Sequence, residues 1–370
     1  MAISTPMKKT TIVVRYPQGE GKLALRGNVE PLSWTHSIEP ACVEGDKHTF
    51  EIATPAGLIE FKPFRENVGY SCGRDYAVQA GSTVIVQPYF NRPTCYGEET
   101  PRTIFSPQLN RTLTYEVFLP PSYGELPYKR YPVLYAQDGQ SLFSTSRDPV
   151  DGSSWRMDDS LNELYDLAAI EEILVVAIRT DEGRLEMLSP TVDAELGGGQ
   201  GPAYLEFLAT VLKVTIDATY RTLPDRANTG LIGASMGGLF SFFAAWTRPG
   251  VFGKAACLSA SFWWNNRDMV RMVEGDSCPY PRPLLYLDSG ASKSQFERDA
   301  NLRDGYHHTL AMRHALISHC YVPGESVHTL AFAGMSHDNA SWAARLAVPL
   351  QMMFPVKGPR LVEPAAASAG

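Results

Sequence analysis

The chain has 370 residues, of which 44% are hydrophobic and 20% charged, a composition typical of globular proteins. Its formal net charge of −7 offers no basic surface to nucleic acid or to an anionic membrane. The sequence contains no run of about 18 apolar residues that could span a bilayer and no apolar leader at its N-terminus. These features predict a cytoplasmic protein of two domains with no nucleic-acid or membrane partner.

Residues 1–95 alternate short β-rich runs with turn residues, which predicts a small β-sandwich rather than part of a parallel sheet. Trp34 and Tyr70 within it are candidate sugar-binding surfaces. A polar, proline-containing stretch follows, and we place the interdomain linker at residues 96–102. The β-rich runs are TIVVRY, KLALRG, HTFEIAT, LIEFKPF, YAVQAG and STVIVQPYF.

Residues 103–358 alternate strand-like runs with helical patterns, the order expected of a mostly parallel sheet with helices on both faces. The run EILVVAI is almost wholly apolar, as a strand buried on both faces should be. The predicted fold class is therefore α/β, preceded by a small all-β domain. Residues 359–370 are expected to form a disordered tail. The other strand candidates are TLTYEVFLP, YPVLYAQ, TGLIG, KAACLSA, PLLYLDSG and VHTLAFAG.

The six cysteines are scattered and show none of the CxxC spacings of a zinc site or a redox motif. In the absence of an export signal, we expect reduced thiols in preference to disulfides. The sequence therefore implies neither a metal nor another cofactor. The cysteines are Cys42, Cys72, Cys95, Cys257, Cys278 and Cys320.

The stretch GLIGASMGGLFSFF, residues 230–243, places Ser235 between glycines, after a strand candidate and before a helical pattern. This is the setting of a nucleophile elbow, in which Gly233 and Gly237 allow the close backbone approach that a sharp turn needs. The first N–H groups of the helix lie where an oxyanion would develop. We predict that Ser235 is a nucleophile; the alternative is a small residue in a tight bend.

A serine hydroxyl needs a base within hydrogen-bond reach, and His337 follows the last strand candidate, in GMSHDNASW. The alternative for His337 is a loop histidine that caps the next helix. The turn after YPVLYAQ, at Asp138 to Gln140, follows an earlier strand. The backbone N–H groups of Gln140 and Met236 are the predicted oxyanion hole, although a plain turn explains the same residues.

Four motifs in order, YPVLYAQDGQSLF, GASMGG, LSASFWW and GMSHDNASW, resemble the putative-esterase branch of the α/β-hydrolase superfamily. That branch includes enterochelin esterases, feruloyl esterases and S-formylglutathione hydrolases, and the resemblance covers about residues 103–355. It implies that Ser235 attacks an ester carbonyl, that His337 transfers its proton, and that water releases an acyl-enzyme. The segments LALRGNVEPLSW and GLIEFKPF are similar to a starch-binding-type or early-set β-sandwich.

The acid that would orient the histidine does not carry over from the family, because Ala291, Ser292 and Lys293 stand where it is expected. Asp304, in a polar turn before a helical pattern, is our first choice. Other candidates are Asp299, Glu297 and Asp288, and a serine–histidine pair without an acid is a further alternative.

Long loops that follow the strand candidates are rich in tryptophan and arginine. We take Trp155, Trp263 and Trp264 as candidate substrate-binding residues, since such surfaces suit an aromatic or sugar-bearing acyl group. The alternative is that these tryptophans pack the loops down.

The leading hypothesis is a serine-dependent carboxylic ester hydrolase acting on a small-molecule or glycan ester, of the catecholate-siderophore, phenolic or carbohydrate type. The alternatives are an acyltransferase with the same nucleophile and a carbohydrate-binding protein whose hydrolase domain is inactive.

Overall fold

The structure is a computed structural model, and its described residues fall into two regions, a β-rich N-terminal one and a larger α/β one. No helix among them is long and apolar enough to cross a bilayer. The described ranges are 6–19, 21–55, 57–91, 100–145, 152–180, 182–290, 306–356 and 360–361.

The N-terminal region consists of two sheets that share one hydrophobic core. One sheet has the strand order β19-β8-β1-β4-β3, in which β19 is Arg360–Leu361, and the other has the order β2-β5-β6 with β7 also paired to β5. Side chains alternate between buried and exposed along β4, so that Phe50 and Ile52 point into the core, where they join Ile59 and Phe61 of β5. The strands are β1 Lys8–Arg15, β2 Leu23–Gly27, β3 Cys42–Glu44, β4 Lys47–Thr54, β5 Leu58–Arg65, β6 Gly69–Tyr70, β7 Tyr76–Gln79 and β8 Thr83–Val86.

The larger region contains an eight-stranded sheet with the order β18-β17-β16-β15-β11-β12-β10-β9. The six strands from β18 to β12 in that order are parallel to their neighbours, and β10 and β9 add antiparallel pairs at one edge. The strands are β9 Arg102–Ser106, β10 Arg111–Phe118, β11 Val133–Ala136, β12 Leu174–Ile178, β15 Thr229–Ala234, β16 Lys254–Leu258, β17 Leu284–Gly290 and β18 Val327–Phe332, and a separate hairpin is formed by β13 Val192–Asp193 and β14 Gly197–Gly198.

Helices cover both faces of this sheet, and β12 shows why its sequence is apolar throughout. Leu174, Val176 and Ile178 belong to one hydrophobic cluster, whereas Val175 and Ala177 belong to the cluster on the opposite face. The predicted α/β fold behind a β-rich region is confirmed. The helices are α1 Met157–Asp166, α2 Arg184–Leu188, α3 Gly201–Phe207, α4 Lys213–Thr219, α5 Met236–Thr247, α6 Trp264–Gly275, α7 Tyr306–His319, α8 Asn339–Arg345 and α9 Ala347–Met353.

One expectation from the sequence is wrong. Cys278 and Cys320 form a disulfide, so these two are not reduced thiols; they meet because the ends of α6 and α7 lie side by side. Arg360–Leu361, near the start of the predicted tail, form β19, which pairs with β8 of the N-terminal region. The rest of that tail lies outside the described residues. Most of the predicted linker, residues 96–99, lies outside the described residues.

Candidate active site

Ser235 occupies a strained turn between β15 and α5. Its backbone has φ 56° and ψ −120°, in a region of positive φ that residues other than glycine rarely adopt. The Ser235 N–H donates to the Leu258 carbonyl at 2.9 Å, and the Ser261 N–H donates to the Ser235 carbonyl at 3.0 Å. The end of β16 and the residues after it therefore hold the strained conformation in place.

The turn at Ser235 leaves no room for side chains at the neighbouring positions Gly233 and Gly238. A Cβ atom at Gly233 would overlap the backbone of Gly237. At Gly238 a Cβ atom would lie 3.0 Å from the Ala260 Cβ and 3.1 Å from the Leu258 carbonyl oxygen. These close approaches agree with the nucleophile-elbow geometry predicted from the glycine spacing.

The Ser235 side chain is half-buried, and its Oγ lies 3.2 Å from the Oγ of Ser261. Ser261 is only 2% exposed. No sequence motif points to Ser261, because only the tertiary contact between the β15 and β16 ends brings it to the nucleophile.

His337 lies between β18 and α8 and is exposed. Its ring packs edge-on against Trp342, with centroids 5.1 Å apart and planes at 80°, and the Trp342 indole N–H donates to the Ser259 Oγ at 3.1 Å. Through Trp342, His337 is connected to the segment after β16, which contains Ser259 and contacts Ser235. Among the described residues, the Ser235 hydroxyl bonds to Ser261 and not to His337; a catalytic serine–histidine hydrogen bond often tightens only around a substrate.

The predicted oxyanion loop follows β11 and lies next to the elbow. Asp138 has φ 59° and precedes a 3₁₀ turn over Gly139–Ser141. A Cβ atom at Gly139 would lie 2.8 Å from the Ala177 carbonyl carbon, and one at Gly237 would lie 3.2 Å from Asp138 Oδ2. Met236 begins α5, so its N–H has no acceptor within the helix. The predicted donors, Gln140 and Met236, are thus on adjoining turns.

Asp138 is buried and anchors this loop to α2. The Arg184 Nε and Nη2 donate to its two oxygens at 2.7 and 2.8 Å, and the Thr180 hydroxyl donates at 2.6 Å. The Gln140 amide nitrogen donates to Asp138 Oδ1 at 3.3 Å. Burial by itself would raise the pKa of Asp138, but Arg184 and these hydrogen bonds lower it, so the carboxylate is ionised. The sequence indicated only a turn here.

Of the four candidate acids, the described residues include only Asp288, because Asp304, Asp299 and Glu297 fall within residues 291–305. Asp288 is fully buried and pairs with Arg345 of α8, whose Nη2 lies 3.0 Å from Oδ1 and whose Nε lies 3.2 Å from Oδ2.

Asp288 also accepts hydrogen bonds from the Tyr286 hydroxyl at 2.9 Å and the Ser259 N–H at 3.1 Å. Burial raises the pKa of Asp288 to about 6, although Arg345 and these bonds oppose the rise. Among the described residues, the hydrogen bonds of Asp288 are with these groups and not with His337. Asp288 therefore connects β17 to the helix after the histidine, and an orienting role at His337 is not supported for it.

The three tryptophans proposed to bind substrate differ in burial. Trp155 is 1% exposed, and its indole N–H donates to Asn339 Oδ1 at 2.9 Å. Trp264 is fully buried, and its indole N–H donates to the Thr191 carbonyl at 3.0 Å. The burial and internal hydrogen bonds of these two favour the alternative that they pack the loops down, and a substrate contact by either stays a prediction. Trp263 is 39% exposed and is the one of the three that presents its ring at the surface.

The described residues, those at this edge of the sheet included, hold no group of three or more His, Cys, Asp or Glu side chains that could bind a metal ion. Trp34 and Tyr70 are 37% and 40% exposed. Their rings are 6.5 Å apart and inclined at 61°, so the two do not form one flat surface for a sugar ring.

A mostly parallel sheet with a strained serine between a strand and a helix defines the class of α/β-hydrolases. Residues 106–352 match the family model described as putative esterase. This span is well over half of the chain. The protein therefore belongs to the putative esterase family, as the resemblance of its motifs predicted.

Several known proteins are similar to this chain. A siderophore enterobactin esterase of Emericella nidulans is 30% identical over 113 residues, which are 29% of this chain and 36% of that protein. An endo-1,4-beta-xylanase/feruloyl esterase of Xylanibacter ruminicola is 26% identical over 261 residues, 70% of this chain and 34% of that protein. The enterobactin esterase FES from Shigella flexneri aligns with a TM-score of 0.52 at 15% identity, covering 95% of this chain and 94% of its own.

The matched segments span between 34% and 59% of the curated relatives' own lengths. The structural likeness to FES includes the β-rich N-terminal region, because it covers nearly the whole chain. At this level of identity it establishes a shared fold alone.

Proposed function

We propose that this protein is a serine-dependent carboxylic ester hydrolase, with Ser235 as its nucleophile and His337 as its general base. The observation that carries the proposal is the strained backbone of Ser235 at the strand-to-helix turn, in a chain of the putative esterase family. Such strain clusters at active sites and persists only where the surrounding structure holds it, as two backbone hydrogen bonds do here.

In the proposed mechanism the Ser235 oxygen bonds to the ester carbonyl carbon while its proton passes to a ring nitrogen of His337. The carbonyl electron pair moves onto the oxygen, which accepts hydrogen bonds from the Met236 and Gln140 N–H groups. Collapse of this intermediate expels the alcohol with the proton from His337. Water then attacks the acyl-enzyme by the same steps and restores Ser235.

We retain Asp304 as the proposed acid behind His337, on the sequence argument alone. If an acid is absent, the rate falls but activity persists, because the oxyanion donors and the serine remain. Asp304→Asn should therefore lower kcat without abolishing it. If Asp304→Asn had the kcat of the wild type, the assignment of Asp304 as the acid would be wrong.

The proposed substrates are small siderophore or phenolic esters. Relatives named as enterobactin and feruloyl esterases motivate this class. The exposed ring of Trp263, beside the segment that contacts Ser235, is a surface on which an aromatic acyl group can pack. No described residue favours acyl transfer over hydrolysis, and the inclined rings of Trp34 and Tyr70 do not support a separate glycan-binding role.

The proposal is tested by turnover of p-nitrophenyl acetate and methyl ferulate, with Ser235→Ala and His337→Ala as the test variants. Both variants should lose at least about 1,000-fold in kcat, since the serine and its base act as a unit. A fluorophosphonate should label the wild-type protein at Ser235 alone. Trp246→Phe, a change in a buried aromatic of α5, is the control and should keep wild-type rates. A wild-type protein that neither turned over esters nor became labelled would refute the proposed function.

A further inference from the structure

The buried hydroxyl of Ser261 contacts the oxygen that we propose as the nucleophile. Ser261 lies shortly after β16, and its backbone N–H donates to the Ser235 carbonyl at 3.0 Å. Its Oγ is 3.2 Å from the Ser235 Oγ. Because the backbone contact fixes Ser261 against Ser235, the short distance between the hydroxyls does not depend on one side-chain rotamer alone.

The surroundings of the two hydroxyls determine which one donates. A buried hydroxyl that has no acceptor loses a hydrogen bond that water would have given it. Within the described part of the chain, the Ser235 Oγ is the one acceptor at hydrogen-bond distance from the Ser261 hydroxyl, which is 2% exposed. Ser235 is only half-buried, so its own proton can point to water or to a base. Either hydroxyl can donate at this distance, and this difference in burial favours Ser261 as the donor and Ser235 as the acceptor.

We propose that Ser261 is a further catalytic residue, whose hydroxyl donates to the Ser235 oxygen while that oxygen attacks the ester. This inference rests on the proposed function. As the Ser235 proton moves to His337 and the new bond to the carbonyl carbon forms, partial negative charge develops on the Ser235 oxygen. A donor already in place stabilises that charge without having to reorient.

Ser261 keeps its own proton throughout this step. When the intermediate collapses, the electron pair returns from the oxyanion to re-form the carbonyl double bond, and the bond from the carbonyl carbon to the alcohol oxygen breaks. The alcohol leaves with the proton that His337 had taken from Ser235, and the acyl group stays on the Ser235 oxygen. The donated hydrogen bond also occupies one lone pair of the Ser235 oxygen, which directs the Ser235 proton away from Ser261 and towards the base.

The experiment compares Ser261→Ala and Ser261→Cys with the wild-type protein. The readouts are kcat and KM for p-nitrophenyl acetate and the rate constant for fluorophosphonate labelling of Ser235. Ser261→Ala should lower kcat and the labelling rate by the same factor, roughly 10- to 100-fold, with KM little changed. The kcat and labelling rate of Ser261→Cys should lie between those of the wild type and of Ser261→Ala, because a thiol is a weaker donor than a hydroxyl.

Ser241→Ala is the matched control, since Ser241 is also fully buried and its hydroxyl donates only to the Gly237 carbonyl of its own helix, at 2.8 Å. Its rates should equal those of the wild type. Thermal unfolding of each variant shows whether a slower rate comes from the missing hydrogen bond or from loss of the fold. If the alanine variant does not fold, the cysteine variant alone is compared with the wild type.

An alanine or cysteine variant that is labelled as fast as the wild type would overturn the inference, and a faster rate would mean that Ser235 had been donating to Ser261. Either result leaves the proposed function intact, because the wild type would still turn over esters. An unreactive wild type would instead overturn the proposed function, and this inference with it.

Discussion

Single residues position the turn that faces the nucleophile. Asp138 holds Arg184, Thr180 and Gln140 through one carboxylate, and Arg184 and the hydrogen bonds lower its pKa below the ordinary 3.8. A group whose folded pKa is lowered contributes stability that is complete above its unfolded pKa and disappears as the pH falls through the folded pKa. The contribution of Asp138 should therefore be constant above about pH 5 and decrease as the pH falls further.

Asp138→Asn should lower kcat by roughly 10- to 100-fold with a small change in KM, because an amide cannot accept from both Arg184 nitrogens and the Gln140 N–H would shift. The difference in unfolding free energy between the wild type and this variant should be constant from about pH 5 to 7 and shrink below about pH 5. Asp46→Asn is the control, since Asp46 pairs with Arg15 at 2.8 and 2.5 Å on the sandwich. An Asp138→Asn variant with normal kcat would contradict a positioning role.

At the scale of elements, α5 is buried along nearly its whole length, which explains the apolar run that follows the elbow. Residues 201–220 have a continuous helical pattern in the sequence, and in the structure α3 and α4 are joined there by a π-helical turn at Leu208–Leu212. Apolar spacing does not report this change of winding, because Phe207 before the turn, Leu208 within it and Ile216 after it all belong to the same hydrophobic cluster.

The disulfide between Cys278 and Cys320 joins the ends of α6 and α7 across 42 residues. Closing a loop of this length restricts the unfolded chain, so replacing both cysteines with serine should lower the unfolding free energy by about 2–4 kcal/mol. Denaturant unfolding measures this change, and Cys42→Ser, at an exposed cysteine without a disulfide, is the control. Thiol titration in denaturant should find two fewer thiols without reductant than with it. Equal counts would contradict the pairing.

At the scale of the whole molecule, one loop of the α/β region anchors the β-sandwich. Glu125 accepts the Tyr16 hydroxyl at 2.6 Å and the backbone N–H groups of Phe90 and Asn91 at 2.8 and 2.9 Å. The adjacent Leu126 is fully buried in the core of the sandwich. The two regions are therefore in contact through buried as well as polar groups.

Glu125→Ala should lower the unfolding free energy by about 2–3 kcal/mol, because it removes the partner of three donors. Loosening this contact should also separate the thermal transitions of the two regions, which calorimetry can detect. Glu39→Ala, which removes an exposed ion pair with Lys22, should leave the calorimetric unfolding curve unchanged. A single unaltered transition in Glu125→Ala would show that Glu125 does not couple the regions.

The sequence by itself determined the order of strands and helices, the α/β class and the serine elbow. Each depends on local periodicity or on glycines close to Ser235, so neighbouring residues carry the information. The tertiary structure decided which side chains meet: Ser261 with Ser235, Arg184 with Asp138, and Arg345 with Asp288. These partners lie 26, 46 and 57 residues apart in the chain. Only the alignment of parallel strand ends at one sheet edge brings them together, and the same packing buries Trp155 and Trp264.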